Sequence, residues 1–215
     1  MPARRTPPPR FTYDARSGRY RNSRTGRYIT RVAVRREVDS GIRKSASRVR
    51  GFGQELRDGT ISLDAWRNSM RNEIRQQHLI AAMAAKGGRA QMTPADYGRV
   101  GQLVRKQYGY LEKFALDVDS GKVPLNGAFL SRSAMYSQAS RGTYHAVERT
   151  EMMARQMTEE RNILGKADHC PGCLEETARQ WVGIGQLVPP GQRTCKVNCK
   201  CRLRYRDATG KESAA

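Results

Sequence analysis

Long apolar runs are missing from this chain of 215 residues. No stretch of about 18 apolar residues occurs, so we expect no membrane-spanning helix. The first nine residues, Met-Pro-Ala-Arg-Arg-Thr-Pro-Pro-Pro, have no apolar stretch after their charges and do not resemble a secretory signal. We therefore expect a reducing compartment, in which clustered cysteines bind metal more often than they form disulfides.

Histidine is scarce, and the common catalytic motifs are absent. The three histidines are His78, His145 and His169, and the chain contains no HExxH, P-loop, GxSxG or catalytic pair of carboxylates. We expect His78 to lie half-buried or exposed in a helix. His145 and Glu148 stand three residues apart, which we interpret as a helical surface patch. The sequence therefore predicts a protein that is not an enzyme.

All five cysteines fall in two clusters near the C-terminus. The first cluster is Cys170-Pro-Gly-Cys173, and the second, Cys195-x-x-x-Cys199-x-Cys201, begins after 21 intervening residues. Two groups of cysteine ligands separated by a short intervening segment are typical of a structural zinc site. Disulfides, which would leave one thiol unpaired, or free thiols are the alternatives.

The zinc site has more candidate ligands than the four that zinc takes. Cys170 and Cys173 form the most secure pair. Cys199 and Cys201 would face the same way on a strand, because side chains alternate with period two. Cys195 approaches from the preceding turn, whereas His169 is interpreted as a spare or a turn residue.

Positive charge is concentrated in the first quarter of the chain. The formal net charge is +20, and residues 1–50 hold 15 basic and 3 acidic residues, 14 of the basic ones being arginine. Arginine forks bind phosphate, so this arm predicts non-specific DNA binding. A solvated tail, or an arm docked on an acidic protein, is the alternative. The candidate nucleic-acid-binding residues are Arg16, Arg19, Tyr20, Arg24, Arg27, Tyr28, Arg31, Arg35 and Arg36.

The arm also contains a short repeat. Ser17-Gly18-Arg19-Tyr20 recurs eight residues later as Thr25-Gly26-Arg27-Tyr28. Each copy combines a turn with an arginine and an aromatic residue, which can grip a phosphate and stack on a base. A β-hairpin, or a peptide that packs its tyrosines on a neighbouring protein, explains the repeat equally well.

The middle of the chain has helical periodicity. A weak stripe, which includes Val38, Ile42 and Val49, is interrupted at Gly51 and Gly53. Three further helices follow: one from Ser62 or Asp64 to Gly87-Gly88, one from Thr93-Pro94-Ala95-Asp96 to Asp119, and one from Phe129 to Ile163.

After Trp181 the pattern changes to short extended pieces between turns. Arg202–Arg206 alternates basic and apolar residues as a half-exposed strand does. The sequence therefore predicts a mainly α fold with a small zinc-bound β-rich module at the C-terminus and a basic extended N-terminal arm. The predicted divisions are an arm over 1–50, a helical domain over 51–163, a zinc-ribbon-like module over 164–206 and a loose tail over 207–215.

Residues 159–205 resemble the phage Mu F-like head morphogenesis family, the minor capsid proteins of tailed phages. The resemblance is carried by Arg161-Asn162-Ile163-Leu164-Gly165, the Cys170-x-x-Cys173 pair, Trp181-Val182-Gly183, Pro189-Pro190 and Asn198-Cys199-Lys200-Cys201-Arg202-Leu203. Two positions depart from the family pattern. Lys200 stands where arginine is usual, and Cys195 lies one residue before the place of the family histidine.

The resemblance implies a virion component inside the head and close to the portal, made in the host cytoplasm. Its expected partners are DNA and portal or capsid proteins, and its expected role is in packaging or DNA entry. A zinc-dependent nuclease of the His-Cys type is the alternative from another class. A cellular zinc-ribbon DNA-binding protein is a third possibility, but no groove-reading helix is evident in the sequence.

Overall fold

Four long helices and two small antiparallel sheets make up the protein in a computed structural model, which describes residues 10–14, 16–17 and 19–213. The elements are β1 (Phe11–Asp14), β2 (Arg19–Asn22), β3 (Tyr28–Ile29), α1 (Arg31–Arg57), α2 (Leu63–Lys86), α3 (Pro94–Asp119), α4 (Gly127–Ala154), β4 (Met157–Ile163), α5 (Pro171–Ala178), β5 (Val182–Gly183) and β6 (Arg202–Asp207). The predicted mainly helical fold with a small β-rich C-terminal region is confirmed. Among the described helices, none is long and apolar enough to cross a membrane.

The starts of the long helices are fixed by polar side chains. Thr30, Ser62, Thr93 and Asn126 are the N-caps of α1 to α4, and each side chain accepts a hydrogen bond from a backbone N–H of the first turn. Thr93 and Asp96 form a reciprocal capping box, as the Thr-Pro-Ala-Asp sequence predicts. The second helix ends at a left-handed glycine, Gly87, which also agrees with the prediction.

The main core lies where α4 packs against α1 and α2, with α3 covering α2. Its centre is aromatic: the ring of Trp66 lies 5.7 Å from that of Phe114 and 5.5 Å from that of Phe129, centroid to centroid. The stripe predicted on α1 supplies Val38, Ile42 and Val49, all of them buried. Burial of these side chains is the main stabilising contribution to the bundle.

The first helix is longer than predicted, because Gly51 and Gly53 do not interrupt it. A Cβ atom on Gly53 would lie 2.7 Å from Cδ2 of Leu130, so the glycine lets α1 and α4 approach each other closely. The predicted division at residue 50 therefore falls inside α1. Helix packing decides this position more strongly than the low helix propensity of glycine.

In its described residues, the basic segment forms strands and the start of α1, where its composition predicts an extended arm. Strands β1, β2 and β3 form an antiparallel meander, in which Phe11 and Tyr20 are buried as part of the main core. The backbone N–H of Tyr13 donates to the carbonyl of Gly87 at 2.6 Å, which ties this sheet to the end of α2. Residues 1–9, Ala15 and Gly18 of the predicted arm lie outside the described residues.

Two predictions at the C-terminal end are also wrong. The helix predicted to reach Ile163 ends at Ala154, and Gln156 adopts a left-handed φ of 62° before β4 begins. Strand β4 is then the centre of a sheet with order β5-β4-β6. The predicted loose tail folds back through residue 213, since the N–H of Ser213 donates to the carbonyl of Tyr205 at 2.9 Å.

Candidate metal centre

The five cysteines all lie at the borders of short elements in the C-terminal module, which comprises residues 157–207. Cys170 is the N-cap of α5, and Cys173 lies in the first turn of that helix. A 3-10 helix, Lys196–Asn198, separates Cys195 from Cys199. Cys201 directly precedes β6, so three chain segments deliver their thiols to one place.

Three of the distances between sulphur atoms are close to those between ligands of a single ion. The Sγ atom of Cys173 lies 3.5 Å from that of Cys170, 3.6 Å from that of Cys195 and 3.7 Å from that of Cys199. A zinc ion with four Zn–S bonds of about 2.3 Å has S···S edges of about 3.8 Å. All five thiols are free in the structure, because these distances far exceed the length of about 2.0 Å of a disulfide bond.

Cys173 is the sulphur common to both groups of neighbouring thiols. The thiols form two groups, Cys170 with Cys173 and Cys195, and Cys173 with Cys199 and Cys201, in each of which the ligand atoms lie within 4.8 Å of one another. The cluster could therefore hold a metal ion, and it contains one more sulphur than zinc requires. Cys199 and Cys201 lie in one group, but neither is in the strand on which they were predicted to share a face, since β6 begins at Arg202. His169, the sixth predicted ligand, belongs to neither group.

The surroundings of the cluster favour thiolate at some of its positions. A hydrogen bond from Cys201, together with bonds from its backbone and from neighbouring thiols, lowers the pKa of Cys199 to about 4. Burial works in the opposite direction at Cys170, but hydrogen bonds from the backbones of Cys173 and Cys195 lower its pKa to about 7. Burial raises the pKa of Cys173 and Cys195. A divalent cation would remove the protons that these thiols retain.

Residues outside the cysteine motif hold the two sides of the cluster together. The buried Asn162 of β4 donates from Nδ2 to the carbonyl of Cys173 at 3.3 Å and to Thr177 Oγ1 at 2.6 Å. Its Oδ1 accepts a hydrogen bond from Arg193 at 2.9 Å. A Cβ atom on Gly165 would lie 2.1 Å from the carbonyl oxygen of Lys200, so glycine is required for this close approach. Sequence reasoning found Asn162 and Gly165 only through the family resemblance and did not find Arg193.

The histidines are placed differently from the sequence predictions. His78 is buried, and its Nδ1 is hydrogen-bonded to Thr143 Oγ1 at 2.7 Å. Burial lowers the pKa of His78 to about 4, so the ring is neutral at pH 7. His145 and Glu148, predicted as a surface patch, are both buried in α4. The prediction of exposure was wrong because α4 is covered by α1 and by the C-terminal module.

Most of the predicted nucleic-acid-binding residues are on the surface. They are Arg16, Arg19, Arg24, Arg27, Tyr28 and Arg36. The guanidinium groups of Arg19 and Arg21 lie 5.4 Å and 4.3 Å from the centre of the Tyr28 ring. Arg21, which the sequence analysis did not single out, therefore shares the stacking surface of Tyr28.

Three of the predicted nucleic-acid-binding residues instead support the fold. Tyr20 is in the core, and the guanidinium Nη1 of the buried Arg31 donates to Ser213 Oγ at 3.2 Å. Arg35 donates from Nη2 to the buried carboxylate of Glu148 at 2.9 Å and to the carbonyl of Leu203 at 3.2 Å. Burial keeps the Tyr20 ring in the core, whereas Arg31 and Arg35 tie the start of α1 to α4 and to the C-terminal module.

Comparison with known proteins adds no relative. No family model, no curated protein and no solved structure matches this chain. The features that bear on function are therefore the cysteine cluster, the exposed basic residues and the motif of residues 159–205.

Proposed function

We propose that the chain is a minor capsid protein of a tailed phage. In this proposal it lies inside the head near the portal, holds one structural zinc ion and binds DNA non-specifically during packaging or DNA entry, without enzymatic activity. The observation that carries the proposal is the cluster of five cysteine sulphurs, in which Cys173 Sγ lies 3.5 to 3.7 Å from three others, close to the S···S distance of about 3.8 Å around zinc.

The motif that resembles the Mu F-like family supports this assignment, because its separate pieces serve the same module. Asn162 bonds to Cys173 and Gly165 packs against Lys200, which joins the first piece to the two cysteine pieces. Leu203, from the last piece, is buried in the apolar cluster of the sheet. Residues scattered over more than forty positions thus serve one module. A zinc ion would lock this module onto α4, which contacts its 3-10 helix and its sheet.

The charge of the chain supports binding to DNA. The formal net charge is +20, and the N-terminal sheet exposes four arginines, Arg16, Arg19, Arg24 and Arg27, beside Tyr28. Arginines of this kind neutralise phosphates and release counterions, which gives affinity without sequence preference. The expected partner inside a filled head is the packaged DNA.

Replacing Arg16, Arg19, Arg24 and Arg27 together by glutamine is expected to weaken DNA binding and to flatten its salt dependence. Each lost phosphate contact reduces the slope of log K against log salt by about 0.9, so we expect a decrease of about 3 to 4. The measurement is fluorescence anisotropy of a duplex over a range of salt concentrations. A matched control replaces four exposed cations elsewhere, Arg75, Arg105, Lys113 and Lys122, by glutamine.

Equal slopes for the wild-type protein and the four-arginine variant would contradict DNA binding by this sheet. The same protein incubated with plasmid and Mg²⁺ or Zn²⁺ tests the nuclease alternative. We expect the plasmid to remain intact, and cleavage that is lost with the metal would replace the binding proposal with the enzymatic one.

The virion placement is tested in the phage that encodes the chain. We expect the protein to sediment with heads at low copy number and to resist added protease until the shell is opened. Deletion of its gene should leave shells that assemble but retain DNA poorly or infect weakly. Full infectivity without the gene, or a product found only free in the host cytoplasm, would remove the virion placement and leave DNA binding standing.

A further inference from the structure

A cleft of about 260 Å³ lies between the start of α1, the middle of α4 and the segment 200–202. A shallower depression continues it toward Arg31 and Arg204, sharing Arg35 and Arg202 with it. We call this continuous surface the basic cleft. One wall belongs to the helical bundle and the other to the cysteine-rich module.

The side chains around the basic cleft carry more positive than negative charge. Arg35, Arg36, Arg141, Lys200 and Arg202 line it, and Asp39 is the acidic residue among its lining. Two of the cations are already paired. Arg141 donates to Asp39 Oδ1 at 2.8 Å, and Arg35 donates to Glu148 Oε1 at 2.9 Å.

Of the five cations that line the 260 Å³ cleft, three remain without an ion pair in the part of the chain that the structure describes. They are Arg36 on α1, and Lys200 and Arg202 on the opposite wall; Arg36 and Lys200 are exposed to solvent. Like charges facing one another across a cleft repel each other and attract an anion. The basic cleft is therefore suited to an anionic ligand.

Unpartnered donors lie in the same place. The Nε–H groups of Arg31, Arg35 and Arg202 are buried and have no acceptor among the described protein atoms, and the side chain of Arg31 is almost wholly enclosed. A buried donor without an acceptor costs free energy, which adds to the repulsion between the positive charges at this place.

The arrangement of the donors favours phosphate over carboxylate. The cations that line the cleft belong to α1, to α4 and to the segment 200–202, so they surround it from more than one side. A phosphate group offers acceptor oxygens arranged tetrahedrally, whereas a carboxylate offers two oxygens in one plane. Arginine is also the side chain whose fork best matches phosphate.

We propose that the basic cleft binds a phosphate group, and, resting on the DNA binding proposed above, that this group is a backbone phosphodiester. The cleft then lies beside the candidate metal centre, because Lys200 and Arg202 flank the candidate ligand Cys201. Metal binding orders one wall of the cleft, and the phosphate bridges that wall to α1.

Two variants test the basic cleft from opposite walls. The first is Arg36→Gln, on α1 and remote in sequence from the cysteines, and the second is Lys200→Gln with Arg202→Gln. Relative to the wild-type protein, we expect the slope of log K against log salt for duplex DNA to fall by about 0.9 and about 1.8. The control, Arg105→Gln with Lys113→Gln, removes two exposed cations of α3 and should leave the slope unchanged.

A second measurement distinguishes binding of a DNA phosphodiester from binding of free phosphate. The thermal unfolding of each protein is measured in sodium phosphate and in sodium chloride at equal ionic strength. If wild-type protein binds DNA but both cleft variants behave like the control, the cleft proposal is overturned and the DNA-binding function survives. If wild-type protein binds no DNA, but phosphate raises its unfolding temperature and Arg36→Gln abolishes that rise, the cleft binds free phosphate and the proposed function fails.

Two further results are decisive. Absence of both DNA binding and a phosphate effect in the wild-type protein overturns the cleft as well as the function. The zinc content of the Lys200→Gln, Arg202→Gln protein is measured in parallel. If that variant loses zinc, the Arg36→Gln protein, whose altered residue is far from the cysteines in sequence, decides the question.

Discussion

Replacing Cys173 by serine is expected to release the metal and unfold the C-terminal module while the helical bundle stays folded. Cys173 is the sulphur shared by both groups of neighbouring thiols, so without it neither group keeps three sulphurs close to one another. Structural zinc contributes about 10–16 kcal/mol to the folding of small zinc modules, as much as the whole stability of many domains. The small apolar cluster around Leu203 and Tyr205 is too limited to replace that contribution.

The measurement combines metal analysis with limited proteolysis and circular dichroism. Cleavage should appear between residues 157 and 207, and most of the helical signal should remain. The other four cysteines provide the internal control: one of their serine variants should keep the metal, because five sulphurs compete for four positions. A Cys173→Ser protein that retains zinc and a protease-resistant module would contradict the assignment.

The second large effect is expected from Glu148→Gln. The carboxylate of Glu148 is buried, accepts hydrogen bonds from Arg35 at 2.9 Å and from the Tyr144 hydroxyl at 3.1 Å, and is close enough to Arg31 to affect its ionisation. Glutamine keeps the shape of the side chain but leaves buried guanidinium charge uncompensated. We expect the free energy of unfolding to fall by about 3–5 kcal/mol, the usual result of breaking a buried pair from one side.

A matched control for this variant is Glu112→Gln. Glu112 pairs with Arg67 and Arg71 on the surface, where its side chain is 37% exposed, so its replacement should cost less than about 1 kcal/mol. Unfolding by urea in the presence of zinc at pH 7 compares the two variants with the wild-type protein. Equal losses at both positions would contradict the structural role assigned to Glu148.

The effect of Glu148 should also depend on pH. Burial alone would raise its pKa, but Arg35 and the other neighbouring donors hold the pKa below the ordinary value of 4.5. A carboxylate whose pKa is lowered by folding stabilises the folded state above its unfolded pKa and loses that contribution as the pH falls. The difference in stability between the wild-type and Glu148→Gln proteins should therefore be complete above about pH 4.5 and decrease below it.

Local sequence signals predicted the helices well. The capping residues of α2 and α3, the glycine that ends α2 and the apolar stripe on α1 all act within a few residues, so the sequence alone reveals them. The strand β4 was mistaken for helix because its partner, β6, is about forty residues away along the chain. Pairing of this kind leaves little trace in local periodicity.

The charged residues show even more clearly that contacts between distant parts of the chain cannot be read from local sequence. Arg31 and Arg35 look like members of a basic arm when their neighbours in the sequence are considered. The actual partner of Arg35 is Glu148, 113 residues away, and Arg31 donates to Ser213, which is 182 residues away. Neither pair can be recognised from the neighbouring sequence. Net charge along a segment predicts a partner only for side chains that remain exposed.

The cysteine cluster was the most predictable part of the candidate site. Five cysteines in two clusters indicate a candidate ligand set directly. Asn162 and Arg193 hold the same site together through hydrogen bonds, but amide and guanidinium groups occur throughout the chain and carry no such signal. Which of the five sulphurs would bind an ion depends on how the chain folds, and the spacing of the cysteines in the sequence does not decide it.

The central claim, that these cysteines hold one zinc ion, is tested most directly by metal analysis and X-ray absorption of wild-type protein purified under reducing conditions. The account predicts one zinc ion per chain, surrounded by four sulphur atoms at about 2.3 Å. Protein that carries no stoichiometric metal and yet keeps a folded, protease-resistant module over residues 157–207 would contradict it.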